Sequence, residues 1–342
     1  VGGILKQRCP GFANPFHNCI LAHHVNPLSR KYPQEGDIIR RREILRSDLL
    51  LLLTAAIWGF AFVAQRAGME HIGPFLFNGL RFALGGMLLL PVIVFRRRSG
   101  KYPGGALPLR QGLLAGTVLF AGASLQQVGL VYTTAGNAGF VTGLYVVIVP
   151  LMGIFMGQSA GWRTWTGSLI AAGGMFLLTA AGSPRMAAGD MIVLAGAVFW
   201  AAHIQLISRF MRRQRALPLA AVQFFLCSLL SLLTAFILEE VSPAAVARAL
   251  VPLLYGGLVS VGIAYTLQVV AQKNAHPAHA AIIMSLETVF AMLGGWLILD
   301  ETVSLQGAAG GLLMLSAMIL SALGQYGRRI ARRVVNSRRG MV

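Results

Sequence analysis

The chain has 342 residues, of which 56% are hydrophobic and only 12% charged, with a formal net charge of +18 and a mean hydropathy of +0.68. So few charges cannot cover a water-exposed globule of this size, which excludes a soluble fold and the soluble basic face that nucleic-acid binding needs. Backbone polar groups in lipid must be bonded within their own segment, so the composition implies an all-α integral membrane protein.

Residues 1–46 stand apart, with Pro10, Pro15, Pro27 and Pro33, several glycines and no sustained apolar periodicity, and they are expected to form a disordered cytoplasmic tail. Cys9, His17, Cys19, His23 and His24 lack the paired C-x-x-C spacing of a zinc site, so no metal is expected. The basic stretch before the first apolar run leads into a segment too long for a cleaved signal peptide.

Apolar runs of about 20 residues at about 1.5 Å each cross a hydrocarbon core of about 30 Å. Such runs are predicted at 48–66, 74–95, 110–132, 136–157, 163–181, 190–209, 219–238, 250–272, 278–298 and 304–325, which makes ten transmembrane helices. The connection AGSPRMAAGD after the fifth reads as a linker between halves. Glycine pairs at Gly112/Gly116, Gly139/Gly143, Gly153/Gly157 and Gly307/Gly311 are expected to be close-packing contacts between helices. Cys227 stands alone in an apolar run and reads as a small core residue.

The two halves repeat each other. A shift of 142 residues superimposes Trp58 on Trp200, Met69 on Met211, Phe82 on Phe224, Gln126 on Gln268 and Leu144 on Leu286. Each half holds five spans, an odd number, so the second copy is expected to enter the membrane upside down. This predicts two inverted five-helix repeats, residues 47–182 and 183–327, followed by a basic cytoplasmic C-terminal tail at 328–342. Inverted repeats of this kind enclose one chamber that opens alternately to either side.

Arginine and lysine set the expected orientation. With the N-terminus cytoplasmic, Arg96, Arg97, Arg98, Lys101, Arg110, Arg163, Arg209, Arg212, Arg213, Arg215 and Lys273 fall inside, against Arg66, Arg185 and Arg248 outside. Both termini are then cytoplasmic. The positive charge reads as topology and contact with anionic membrane lipid.

Charges inside spans cost about 2.5 to 3.5 kcal/mol on insertion scales and usually face a partner or a wet cavity. Arg81, three residues after Asn78 and on the same face, is a candidate clamp for a carboxylate or phosphate, or alternatively a bundle-holding arginine. Glu287 at mid-span is a candidate proton-coupling site, or alternatively a permanently paired glutamate with Arg81 as a candidate partner. Candidate substrate contacts are Trp58, Gln126, Tyr145, Trp200, His203, Tyr265 and Gln268, with Gln272 on the face of Tyr265 and Gln268, and Asn137 aligned with Tyr145 through Val141. Packing roles for Trp58, Trp200 and His203 remain open at this point.

The run SLETVFAMLGGWLILDETVSLQG at 285–307, TAAIWGFAFVAQRAG in the first span and TTAGNAGFVTGLYVVIVPL leading into the fourth resemble the EamA-like family of the drug/metabolite transporter superfamily. The resemblance covers residues 48–325. It implies a ten-helix fold, a central pocket between the halves and transport of small organic molecules, often outward. The chain departs from the family pattern at Val146 and Thr288, where members commonly have proline, so hinges in the fourth and ninth spans are not assured. Gln158 and Ser159 stand where the first repeat often has an acidic residue, while Asp300 and Glu301 are present in the second and are expected to favour the start of the tenth span.

These readings converge on a secondary transporter of the cell membrane, multi-pass, moving a small metabolite such as an amino acid, as efflux driven by proton motive force. The pocket is expected between spans 2, 4, 6, 7, 8 and 9. No G-x-x-x-x-G-K-[ST], H-E-x-x-H or G-x-S-x-G motif occurs, so neither direct use of ATP nor membrane-embedded catalysis is expected, and no cofactor is implied. A membrane enzyme and a scaffold are the alternatives. The expected partners are a small-molecule substrate and membrane lipid, with no nucleic acid, in a monomer or homodimer.

Overall fold

The computed structural model describes residues 35–100, 107–133, 135–158, 160–179, 188–298 and 305–339. Among these every regular element is a helix: α1 (Glu35–Met69), α2 (Pro74–Arg98), α3 (Leu109–Val131), α4 (Ala135–Gly143), α5 (Tyr145–Phe155), α6 (Trp162–Thr179), α7 (Ala188–Phe210), α8 (Ala216–Leu238), α9 (Pro243–Arg248) and α10 (Leu250–Leu254). A π-helical segment, Tyr255–Tyr265, follows, then α11 (Thr266–Ala271), α12 (Pro277–Met284), α13 (Glu287–Ile298) and α14 (Leu305–Arg339). The chain divides at residue 41, and the unit 42–342 holds every contact described below.

Helix α1 already runs from Glu35, so the irregular stretch expected through residue 46 ends sooner. The cysteine and histidine positions of the tail, linker residues 181–187, Ser159, Asp300 and Glu301 lie outside the described residues, while the last three linker residues, 188–190, open α7. Helix α14 continues to Arg339, through most of the basic C-terminal stretch.

Eight helical segments among the described residues are long and apolar enough to cross a membrane, and Leu305–Ser321 is a shorter apolar helix. Large apolar side chains face outward along them, including Leu49, Leu53, Leu229, Leu233 and Phe236, as lipid-facing helices require. The protein is therefore a multi-pass membrane protein.

Two of the spans are interrupted at corresponding places. Helix α4 stops at Gly143 and α5 restarts at Tyr145; 142 residues later α12 stops at Met284 and α13 restarts at Glu287. The interruptions form without the prolines whose loss left them in question. At the second, the Ser285 hydroxyl donates to Ile282 O at 2.9 Å, and tight three-residue bonds, Leu286 N to Ile283 O and Thr288 N to Ser285 O, replace the helical ladder. The first is closed by Leu144 N to Val141 O.

The helix pairs are arranged so that a contact in one half has a counterpart in the other. Helices α2 and α8 pack antiparallel. Glu239, just past α8, accepts from Phe75 N and Leu76 N at 2.8 Å each, capping the first turn of α2, while further along Ser228 Oγ donates to Gly79 O and Phe225 faces Gly86. Helices α6 and α14 also pack antiparallel, with Gly167 beside Ala317 and Gly174 beside Gly310. Helix α3 lies against α7 and α8, and its counterpart, the π-helical segment, lies against α2 and, through Tyr255 OH to Ile57 O, against α1.

Glycines make these approaches possible, but not all of those expected to. A Cβ on Gly112 would fall 2.4 Å from Val222 and one on Gly143 2.5 Å from Met175 Sδ, whereas Gly139 and Gly311 have room. Gly157 ends α5 with φ near 70°, a left-handed residue that supplies a turn rather than a contact.

Candidate functional site

The interruptions and the π-helical segment meet at a cavity that encloses about 450 Å³ of atom-free space, its mouth included. Helix α1 contributes Trp58, Ala61, Phe62 and Gln65; α2 contributes Arg81; α3 Gln126; α4 Thr142; and α5 its first residue, Tyr145. From the second half come Trp200 and Ile204 on α7, Ser260 and Tyr265 on the π-helical segment, Gln268 on α11 and Glu287, the first residue of α13. The pocket thus takes in spans 1 and 3, which carry the candidates Trp58 and Gln126 but stood outside the six spans expected to line it, and receives no lining residue from α8, the expected seventh span. Broken helices and π-turns free backbone and side chains from the regular ladder, which is why both recur at binding sites in membrane proteins.

Tyr145 and Glu287 occupy equivalent positions, 142 residues apart, and bond to each other: Tyr145 OH donates to Glu287 Oε1 at 3.1 Å. Phe82 and Phe224, also equivalent, stack with ring centroids 6.1 Å apart. Around Tyr265 the rings of Trp58, Phe82 and Trp200 lie at 4.5, 5.8 and 6.0 Å, an aromatic wall of the geometry that offset π systems favour. Trp58 Nε1 reaches Ser260 O at 3.4 Å, tying α1 to the π-helical segment.

Arg81 is 2% exposed, and its guanidinium carbon lies 5.2 Å from the Phe82 ring centroid and 5.7 Å from that of Phe77. Its Nε and Nη2 have no hydrogen-bond partner. These two N–H groups share one edge of the guanidinium, the edge that receives both oxygens of a carboxylate in a bidentate pair. Leaving a buried charged donor unpaired costs more than the 1 to 3 kcal/mol typical of neutral groups. Trp200 Nε1, Gln65 Oε1 and Gln268 Oε1 are likewise buried without partners, and Gln65 Nε2 donates to Ala61 O. Gln126 Nε2 is held by Thr142 Oγ1 at 2.9 Å.

Of the residues singled out from sequence, Trp58, Arg81, Gln126, Tyr145, Trp200, Tyr265, Gln268 and Glu287 come together here. Asn78 and His203 do not reach the lining. Asn78 Nδ2 donates to Ala123 O at 3.1 Å and binds α2 to α3; His203 Nε2 lies 2.9 Å from Gln223 Oε1 and its ring meets Trp200 edge-on, so it joins α7 to α8 behind the wall. Gln272 lies beyond the cavity, bonded to Ile204 O. Sequence reasoning missed Gln65, Ser260 and Thr142. Gln65 falls two turns after Trp58 on one helical face, a spacing that could have found it.

Among the described residues no group of three or more potential ligands is placed to hold a metal ion. The cavity offers a cationic fork, a carboxylate, amide carbonyls and flat apolar walls, which is chemistry for binding an amphoteric organic solute.

The EamA-like transporter family model matches the chain twice, over residues 45–180 and 187–323. The chain belongs to the EamA-like transporter family. A protein of Archaeoglobus fulgidus described as an uncharacterized transporter is 31% identical over 91% of this chain and 95% of its own length. The uncharacterized inner membrane transporter YedA of Escherichia coli is 26% identical over 84% of this chain and 94% of its own. A probable amino-acid metabolite efflux pump of Salmonella typhimurium is 25% identical over 84% and 98%. A crystal structure 20% identical in sequence shares the fold, with a TM-score of 0.69 over 84% of this chain and 98% of that one. The family and its relatives make this a membrane transporter of the drug/metabolite type.

Proposed function

We propose that this EamA-like protein is a secondary transporter that carries a small organic carboxylate, an amino acid or a compound like it, out of the cell by alternating access. The observation that carries the reading is the unpaired Nε and Nη2 edge of Arg81 in a cavity that Glu287 also lines and that is built on two broken helices. The fork supplies a bidentate seat for a carboxylate, Glu287 with the carbonyls of Gln65 and Gln268 accepts hydrogen bonds from an amino group, and the Trp58, Trp200 and Tyr265 rings cover an apolar side chain. The Arg81 edge and the Gln65 and Gln268 carbonyls are buried in the described conformation, so solute reaches them only when the lining side chains move.

The antiparallel pairing of α2 with α8 and of α6 with α14 supports ten membrane crossings in two inverted repeats, with α6 and the first part of α14 as the fifth and tenth. The arginine bias supports cytoplasmic termini. Proton motive force is the proposed drive, with Glu287 as the coupling residue, and no catalytic step is involved.

The test is counterflow in proteoliposomes preloaded with amino acids and organic acids. Arg81→Lys keeps the charge and loses the fork, and is expected to lower kcat/KM for a carboxylate solute by about thirtyfold or more, the 2 kcal/mol or greater attached to a buried hydrogen-bonded charge pair. Undiminished flux in that variant would remove Arg81 from substrate binding, and absence of saturable counterflow with every solute would refute transport of this class.

A further inference from the structure

Asp48 and Asp190 stand 142 residues apart, at equivalent positions in the first helix of each half, and neither faces the cavity. Asp48 Oδ1 lies 3.0 Å from His279 Nε2, and His279 Nδ1 lies 2.9 Å from Ser321 Oγ, so one short chain of bonds joins α1, the first turn of α12 and α14. His279 and Ser321 are 2% and 1% exposed, too enclosed for the serine to act as a nucleophile on a solute. Asp190, in the first turn of α7, accepts from Thr133 Oγ1 at 2.5 Å, and the carbonyl of the same Thr133 accepts from Arg66 Nη1 in the last turn of α1 at 3.3 Å.

Helix α1 therefore touches both clusters. Asp48 and Arg66 are separated by about 18 residues, roughly 27 Å of helix, close to the thickness of a hydrocarbon core. The cavity residues Trp58, Phe62 and Gln65 lie on α1 between the two. One cluster is thus at each face of the membrane, each bonds elements from both halves, and the cavity lies between them.

We propose that Asp48 and Asp190 are a pair of gate latches: the Asp48–His279–Ser321 chain holds the cavity shut toward one face, the Asp190–Thr133–Arg66 contact holds it shut toward the other, and solute passes a face only when its latch is broken. The motion they govern is the one of the proposed transport cycle, but their action requires no particular solute.

A reporter cysteine in the cavity tests this without any substrate. In full-length protein with Cys9, Cys19 and Cys227 replaced by serine, Ser260→Cys is labelled with a membrane-impermeant maleimide in right-side-out and inside-out vesicles. Asp48→Asn is expected to raise the labelling rate about tenfold or more from one face alone, and Asp190→Asn from the opposite face alone, the population change that follows loss of a charge-assisted hydrogen bond. Where either aspartate variant fails to give monodisperse protein, Ser321→Ala and Thr133→Val each remove one bond of a latch and carry the same test, with rises of about fivefold. A rise from the same face for both latches, from both faces for one, or from neither, overturns the proposal. A protein that moves no solute in counterflow yet shows the opposed pattern would keep the latches and lose the transport reading.

Discussion

Each charged group of the cavity has an uncharged counterpart in the other half. Glu287 is matched by Tyr145, and Arg81 by Gln223, which bonds His203 instead of facing the lining. Two conformations that exchange the roles of the halves therefore place the same solute against different groups, and their energies differ. That difference is where coupling enters, because Glu287 is an acid whose carboxylate already accepts a bond from Tyr145. Replacing it by glutamine preserves shape and an acceptor but removes the exchangeable proton. Glu287→Gln is expected to weaken the binding of an amino-bearing solute, which loses a charged acceptor, while keeping saturable counterflow and abolishing accumulation driven by an imposed pH gradient, both read in the same vesicles. Gradient-driven accumulation at the unaltered rate would place proton coupling elsewhere. Arg81 and Glu287 were legible from sequence because a charge within an apolar run is costly wherever it points. Ser260 and Thr142 were not, because a neutral polar residue is tolerable on a packed face; Gln65 shares a helical face with Trp58, but only the packing reveals that its Oε1 is left without a donor.

At the scale of elements, the sequence announced spans through runs of apolar residues but was silent on where a span would break. The interruptions at 144 and 285–286 carry no proline at the positions that commonly mark them, and the π-helical stretch Tyr255–Tyr265 has no local signature distinct from its α-helical neighbours. The second restart also lies hard against another helix. Gly59 of α1 lies so close to the restart of α13 that a Cβ there would stand 2.5 Å from Phe290 Cβ and 2.6 Å from Glu287 O. Gly59→Ala is accordingly expected to destabilise by about 2 kcal/mol, because the obstacle is backbone and cannot rotate away. Gly173→Ala, whose Cβ would meet nothing within 4 Å, is expected to be neutral or to stabilise by about 0.5 kcal/mol through helix propensity. Thermal unfolding in detergent compares the two, and equal midpoints would show that α1 and α13 are not in tight contact.

For the whole molecule, the repeat period is the property that tied sequence to fold, because the restarts at Tyr145 and Glu287 and the starts of α2 and α8 recur at the same offset. What the period does not state is how the copies face each other, and the antiparallel contact of α2 with α8 bears on that directly. Glu239 sits on the first turn of α2, while Ser99 follows its last, so the 25 residues of α2, roughly 37 Å of helix, lie between the end of α8 and the end of α2. An element of that length in a bilayer has its ends in different compartments. Cysteines placed at the exposed positions Ser99 and Glu240 in a cysteine-free background are therefore expected to react with an impermeant maleimide from opposite faces, Ser99→Cys from the cytoplasm beside Arg96, Arg97 and Arg98, and Glu240→Cys from outside. Reaction of both from one face would mean that α2 does not cross, and the two copies could then no longer be related by inversion. Reaction from opposite faces with the sides exchanged would keep the inversion and reverse the orientation of every loop.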